Sequence, residues 1–303
     1  PLRLVGSEMC IRDSVAEWSG MLYHCDHVRL AYRLAPLDVY TPLDMRAPGA
    51  ATGVYALESA MDELAWAAGV DPVQLRLTNY AETNQNEGKP YSSKELRACY
   101  QQGADAFGWS KRSPQPRSMR EGDQLIGYGM ATGVWEAMQM PASARASFTA
   151  DGRLIVASAT CDIGPGTATV MTQIAADVLG MEPSQVEFRL GDSSLPKAPL
   201  QGGSFTVSSV GSAVREACMA LADKLCEAAR QWPEAPFSDG AALRFSAGRV
   251  QQGEDASRAV ELSALLARHG SLEVEVQAQP GKQRERYASA SPVSYTHLRA
   301  HET

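Results

Sequence analysis

Short strand-like runs and two long amphipathic helical segments interleave at irregular spacing through the second half of the chain, and this pattern constrains the fold most. Gly127 to Glu136, Ala144 to Ala150 and Leu154 to Thr160 read as strands, the last two joined by an Asp151-Gly152 hairpin turn. A helix follows Cys161-Asp162-Ile163-Gly164-Pro165-Gly166 and runs from Thr167 to Leu179. Its core side is Val170, Met171, Ile174, Val178 and Leu179, and Gly180 ends it. Gln185 to Leu190 is a further strand, residues 191–203 are a loop, and a long helix spans Val207 to Gln231. Strands at 242–250 and 271–278 bracket a helix near 258–268. A doubly wound sheet needs regular alternation, so the expected class is α+β, with mixed strands and helices in two subdomains.

The first half reads differently. Residues 15–44, including Val28 to Tyr32, suggest one or two strands and a loop. A helix over 54–68 would bury Tyr55, Leu57, Met61, Leu64 and Trp66 and turn Glu58, Asp62 and Glu63 to water. Gly69 suits its C-terminal cap, and Asp71-Pro72 caps and opens a short helix over 72–79. Residues 81–93 read as loop and 94–109 as helix, with Trp66 and Trp109 packing in the core. Residues 111–124 carry two prolines and mixed charge and read as the connection between subdomains 15–110 and 125–291. Both ends, 1–14 and 292–303, resemble translated adapter read-through and are set aside. What remains reads as an internal piece of a longer protein.

Charge excludes some functions. Lys and Arg number 28 against 35 Asp and Glu, a formal net charge of −7, opposite to what nucleic acid or an anionic membrane surface attracts. No apolar run reaches the roughly 18 residues of a membrane span. Outside the leading stretch, Cys25, Cys99, Cys161, Cys218 and Cys226 show no Cys-x-x-Cys spacing. They read as buried free thiols of a reducing compartment, not as ligands of zinc or an iron–sulfur cluster.

Three glycine-rich loops are the candidate binding elements. They are Arg46-Ala47-Pro48-Gly49, Gly164-Pro165-Gly166-Thr167 at a helix start, and Gln201-Gly202-Gly203-Ser204-Phe205-Thr206 before the long helix. Glycine lets backbone approach a ligand closely, and helix N-termini present N–H groups that suit phosphate. Thr167, Ser204 and Thr206 would add hydroxyl donors. Each loop alone reads equally as an ordinary turn before a helix. None is a Walker loop or Gly-x-Gly-x-x-Gly, and no Gly-x-Ser-x-Gly elbow occurs.

Taken in order, the motifs resemble one family. They begin with Met45-Arg46-Ala47-Pro48-Gly49, Ala56-Leu57-Glu58, Met61-Asp62-Glu63-Leu64-Ala65 and Asp71-Pro72-x-x-x-Arg76-x-x-Asn79. Asp162-Ile163-Gly164-x-Gly166, Thr172-Gln173-Ile174, Leu190-Gly191-Asp192-Ser193-Ser194 and Gly202-Gly203-Ser204 follow. Together, over about residues 20 to 285, they resemble the large subunit of the molybdenum hydroxylases, which include xanthine dehydrogenase, aldehyde oxidase and carbon monoxide dehydrogenase. The bacterial aldehyde-oxidising branch, with its separate molybdenum subunit, is the nearest type.

The resemblance implies a cleft between the two subdomains holding molybdopterin with molybdenum, usually as the cytosine dinucleotide. Arg46, Ala47 and Gly49 would lie on one side of it. Gly164, Pro165, Gly166 and Thr167 would meet pterin or phosphate, and Gly202, Gly203, Ser204 and Thr206 would line the other side. It further implies hydroxylation of an aldehyde or N-heterocycle with water-derived oxygen. An iron–sulfur subunit with [2Fe-2S] and an FAD subunit would be partners, in the cytoplasm or, for this branch, the periplasm. Two departures stand out. The family's catalytic glutamate sits in a Gly-x-Gly-Glu segment, which these 303 residues lack, so this chain alone is expected to be inactive. Where relatives place an arginine near the metal, Gly133-Val134-Trp135-Glu136 stands here, making Trp135 either a wall of an apolar substrate pocket or simple core. The rival reading is a non-catalytic phosphate-ligand module that uses the two helix starts alone.

Overall fold

The structure, a computed structural model, describes residues 15–31, 33, 35–40, 46–136, 138–253, 257–281, 283–288 and 290–293. The leading stretch 1–14, Met45 and the tail from 294 lie outside the described residues. Contacts divide the chain into two compact units, Pro1–Ala137 with Lys282–Thr303, and Met138–Gly281. The division falls at 137/138 and 281/282, not within 111–124. The reason is that Val134, beyond that connection, is buried in the same core as Trp18 and Tyr100.

Unit 1 begins with a helix, α1, over residues 15–22, where a strand was expected. Trp18, Met21 and Leu22 are buried at helical spacing. Helix α2, Ala50–Ala68, starts four residues before the expected 54; Met61 is buried and Leu57 packs on the core as expected, but the buried face is shifted from the one predicted. Tyr55 is 76% and Trp66 58% exposed, whereas Glu58 is 4% exposed. Gly69 in the left-handed region ends α2, and the Asp71 carboxylate accepts from Val73 N and Gln74 N to open α3, Pro72–Thr78. A small ladder, β1 Thr83–Asn84 with β2 Lys89–Pro90, leads to α4, Leu96–Phe107. There Leu96 and Tyr100 face inward and Cys99 is turned out. Trp109 is half-buried, donating from Nε1 to Asp71 Oδ2 at 2.9 Å. After a second two-residue ladder, β3 Arg120–Glu121 with β4 Gln124–Leu125, comes β5, Gly133–Glu136. It is shorter than the strand expected over 127–136. Tyr128 instead packs its ring against Phe107, with centroids 4.6 Å apart. The returning strand Ala290–Val293 pairs antiparallel with β5. Pro292 and Val293, counted with the foreign tail above, thus extend that ladder.

Unit 2 is a four-stranded sheet with two helices packed on it. Its strands in chain order are β6 Ala142–Phe148, β7 Leu154–Ala157 and β8 Val186–Arg189. Helices α5, Thr167–Leu179, and α6, Thr206–Arg230, pack on one another, and α6 lies against the sheet. A three-stranded sheet follows, of β9 Leu243–Ser246, β10 Arg249–Gln252 and β11 Ala259–Glu261, then α7 Leu262–His269. The expected single strand 242–250 is therefore the β9–β10 hairpin. The last strand, β12 Leu272–Ala278, returns to pair with β6, giving the order β12-β6-β7-β8 with β7 and β8 parallel.

Alternation along β6 puts Ala142, Ala144, Ala146 and Phe148 inward. The three alanines let α6 lie close, and Val210, Ala213, Val214, Ala217, Leu221 and Leu225 complete the contact. Gly211 of α6 allows a close approach to α5, since a Cβ there would stand 2.9 Å from Ile174 Cδ1. The five described cysteines are free, but only Cys218 and Cys226 are buried; Cys25, Cys99 and Cys161 are exposed. Among the described residues no helix is long and apolar enough to cross a membrane.

Candidate functional site

In unit 2 one side chain of the loop before α6 reaches the end of the segment that leads toward the loop before α5. The Gln201 Oε1 accepts from Thr206 Oγ1 at 2.6 Å and from Thr160 Oγ1 at 3.4 Å. Thr160 opens the loop that leads into α5, and its carbonyl also accepts from Gly191 N at 2.8 Å. Beside this link lies an open cleft of about 350 Å³ lined by Thr160, Cys161, Asp192, Ser193, Leu200 and Gln201 among others, though not by residues 164–167 or 202–206. Asp192 is held in its own turn, accepting from Ser194 N and Oγ, both at 2.8 Å. Those bonds hold its carboxyl below the usual range.

The N–H groups at the start of α5 are not free as the sequence suggested. Gly164 N and Gly166 N donate to Asp162 Oδ1 at 2.8 and 3.3 Å. Backbone N–H bonds, that of Gly164 foremost, hold the Asp162 carboxyl below its usual range. Asp162 is thus the loop's internal acceptor, an Asx turn. What the loop offers a ligand is bare backbone: around Gly164, at φ 114°, no atom lies within 4 Å of where a Cβ would stand. Pro165 is exposed, and Thr167 is buried in the first turn.

The loop before α6 is tightly built. Gly203 has φ 60°, and a Cβ there would meet the Phe205 ring and Met138 Cε, both at 2.8 Å. No larger residue fits without displacing one of them. Gly202 is half-buried beside it, Ser204 is exposed at φ 56°, and Thr206 is buried beneath Gln201. The exposed donors on these loops are therefore neutral: the hydroxyls of Ser193 and Ser204 and open backbone, beside the half-buried Gln201 amide. That set is compatible with a polar ligand that carries several acceptor oxygens.

The third loop belongs to unit 1. Arg46 is exposed, Ala47 has φ 57° and Gly49 φ 75°, and these turns bring the chain into α2 through Ala51 N to Ala47 O at 3.1 Å. Trp135 stacks on Trp18, with centroids 5.8 Å apart and planes at 27°, and belongs to the packing of this unit's core.

Sequence reasoning missed the polar centre of unit 1. Arg76, fully buried, donates from Nε to Glu58 Oε2 and from Nη1 to Asp62 Oδ1, both at 2.9 Å. Thr132 N donates to Glu58 Oε2 at 2.8 Å, and the Tyr23 hydroxyl donates to Oε1. The Tyr100 hydroxyl bonds that of Thr132. Burial, with the Glu58 charge, pushes Tyr23 well above the ordinary phenol range, and burial pushes Tyr100 up to about 12. One carboxylate thereby ties α2 to α3, to the residue after α1 and to the segment before β5.

Comparison with known proteins gives the family. Residues 102–300 and 7–80 each match a family model described as a molybdopterin cofactor-binding domain. The chain is 37% identical over 232 residues to the aldehyde oxidoreductase molybdenum-binding subunit PaoC of Escherichia coli K12, covering 75% of this chain and 31% of that protein. It is 30% identical over 226 residues to the xanthine dehydrogenase molybdenum-binding subunit of Escherichia coli O157:H7, covering 70% and 30%. The chain thus spans about a third of the length of these curated relatives. Among solved structures, a Cu,Mo-CO dehydrogenase aligns with TM-score 0.62 at 19% identity, over 77% of this chain and 33% of that one. Quinoline 2-oxidoreductase from Pseudomonas putida 86 aligns with TM-score 0.63 at 17% identity, over 78% and 33%; both show the shared α+β fold. With one family model covering well over half of its residues, the chain belongs to the molybdopterin cofactor-binding family of molybdenum hydroxylase subunits.

Proposed function

We propose that this chain is part of the catalytic subunit of a molybdenum hydroxylase acting on an aldehyde or N-heterocycle. The observation that carries this reading is that the chain matches the family over both halves. The rival phosphate-ligand module explains the loops but not that match. Molybdopterin with molybdenum, here in the cytosine dinucleotide form, supplies the two-electron chemistry when bound.

The residues of this chain hold and orient it. Ser204 and the Gln201 amide nitrogen offer neutral donors, Gly164 and Gly202 let the ligand approach bare backbone, Thr160 and Thr206 hold Gln201 in place, and Asp162 keeps the loop into α5 in shape without serving as a ligand. Arg46, Ala47 and Gly49 of unit 1 are assigned to cofactor binding on the resemblance of their motif alone. Electrons leave to [2Fe-2S] and FAD carried by partner subunits, and the assembly works in the cytoplasm. The general base lies in a Gly-x-Gly-Glu segment, and none occurs in these 303 residues. A base within hydrogen-bond reach is required for the reaction, so this polypeptide by itself turns nothing over.

Co-expression with a molybdopterin supply tests the reading. Molybdenum and pterin fluorescence are expected to co-purify with the full-length subunit, and their absence from it overturns the assignment. The 303-residue chain is expected to show no aldehyde oxidation above a no-protein control with an artificial electron acceptor.

A further inference from the structure

The chain enters unit 2 at Met138 and leaves it at Gly281, and both points are tied to the first turns of α6 by one residue that no motif singled out. Gln139 donates from Nε2 to the Ser208 carbonyl at 2.9 Å and to Ser212 Oγ at 3.0 Å. Its Oε1 accepts from Gly281 N at 3.3 Å. On either side, Met140 N donates to Ser209 Oγ at 2.9 Å, and Ser208 Oγ lies within hydrogen-bond reach of both the Met138 and Phe205 carbonyls. Ser209 is buried. The segment 138–140 is therefore laced across α6 by three serines and a glutamine.

The lacing reaches the loop before α6. Met138 Cε occupies the space a Gly203 side chain would need, and Phe205 O is shared by Ser208 Oγ and Ser209 N. Any shift of Met138 must be felt at Gly203, because the gap between them holds no spare volume.

We propose that Gln139 is a positioning residue for the 201–206 loop, holding Met138 against Gly203. Its relevance to cofactor binding rests on the function proposed above; the positioning does not. Three variants of the full chain separate its bonds. Gln139→Glu keeps the acceptor for Gly281 N and loses both donors to α6. Gln139→Leu loses all three bonds, and Ser212→Ala loses one.

Amide hydrogen exchange is the readout, since a residue that only stabilises unit 2 would change protection throughout the sheet. Gln139→Leu and Gln139→Glu are expected to speed exchange across 202–206 at least tenfold, with the interiors of β6 and β7 unchanged. Gly281 should lose protection in Gln139→Leu only, and Ser212→Ala should give a smaller effect confined to 202–206. Unchanged exchange at 202–206 in both Gln139 variants overturns the proposal, as does a uniform rise across unit 2. If Gln139→Leu does not fold, Gln139→Glu and Ser212→Ala decide. Molybdenum content of the full-length subunit carrying Gln139→Glu then separates the two levels. A faster-exchanging loop with undiminished molybdenum would uphold the positioning role and count against the 201–206 loop as a cofactor contact.

Discussion

The two units bury polar groups of opposite kinds. In unit 1 they are Glu58, Arg76, Asn84 and Thr132, a set that includes a full ion pair. In unit 2 the buried polar side chains among the described residues are Ser143, Ser158, Thr160, Thr167, Thr206 and Ser209, all hydroxyls. In unit 1 a guanidinium and a carboxylate, each with several bonding directions, tie α2 to α3 and to the segment before β5 beside a smaller apolar cluster. Unit 2 has a continuous apolar core between sheet and helices, and its hydroxyls gather where loops leave that core. Removing one member of a buried ion pair leaves the other uncompensated, whereas a hydroxyl is cheaply satisfied.

Breaking the contrast calls first for Arg76→Met. With Glu58 and Asp62 left facing each other, a loss of about 3–5 kcal/mol is expected in urea denaturation. The double variant Glu58→Leu/Arg76→Met should recover only part of it, because paired removal leaves no orphaned buried charge but takes the acceptor from Thr132 N and the Tyr23 hydroxyl. A loss below about 1 kcal/mol for the single variant would make the pair no different from a surface one.

In unit 2 the corresponding injury is apolar. Leu221→Ala should cost about 2–5 kcal/mol through a cavity under α6, while Ser158→Ala, which removes the 2.8 Å bond to the Ser143 carbonyl, should cost about 1 kcal/mol. Equal losses from the two would dissolve the comparison. Gly211→Ala sharpens it at the level of packing. The added methyl meets Ile174 Cδ1, so a loss of about 1–3 kcal/mol is expected, and Ile174→Val in the same chain should restore part of it.

The smallest effect concerns pH and belongs to unit 1. Lys94 donates to the Met21 and Ala81 carbonyls at 3.2 and 2.6 Å, and Tyr80 and Tyr91 flank it with ring centroids at 4.3 and 4.7 Å. Burial lowers it from 10.5 to about 8. Between those values the unfolded chain binds the proton that the folded chain has released, so stability should rise as pH passes from 8 toward 10. Above pH 10 the trend reverses, because burial raises Tyr23, Tyr91 and Tyr100 and the folded chain then holds more protons. Solvent screening limits the rise to about 1 kcal/mol, and Lys94→Met should flatten it in melts run between pH 7.5 and 10.

Periodicity made unit 2 largely legible. Helices α5 and α6, the β6–β7 hairpin and β12 lie within a few residues of their expected positions, because local spacing and burial agree there. Unit 1 resisted for a physical reason. Its second helix hides Glu58 and exposes Trp66, and the cause is Arg76, eighteen residues on, which no hydropathy pattern on α2 can register. The Asp-x-Gly-x-Gly spacing was visible, and Asx-turn chemistry would have shown that Asp162 takes the N–H groups reserved for phosphate. Gln139 left no trace, since a lone glutamine between strands has meaning only once Ser208, Ser212 and Gly281 are beside it.

The uneven burial of the cysteines turns the chain into its own reporter. Cys218 and Cys226 both lie inside α6, and burial pushes the fully buried Cys218 thiol up to about 12, so it does not react while the helix is seated. Cys25, Cys99 and Cys161 meet solvent and label at once. The slow phase of thiol labelling in the native protein therefore clocks the opening of α6 itself, and it does so without any introduced probe.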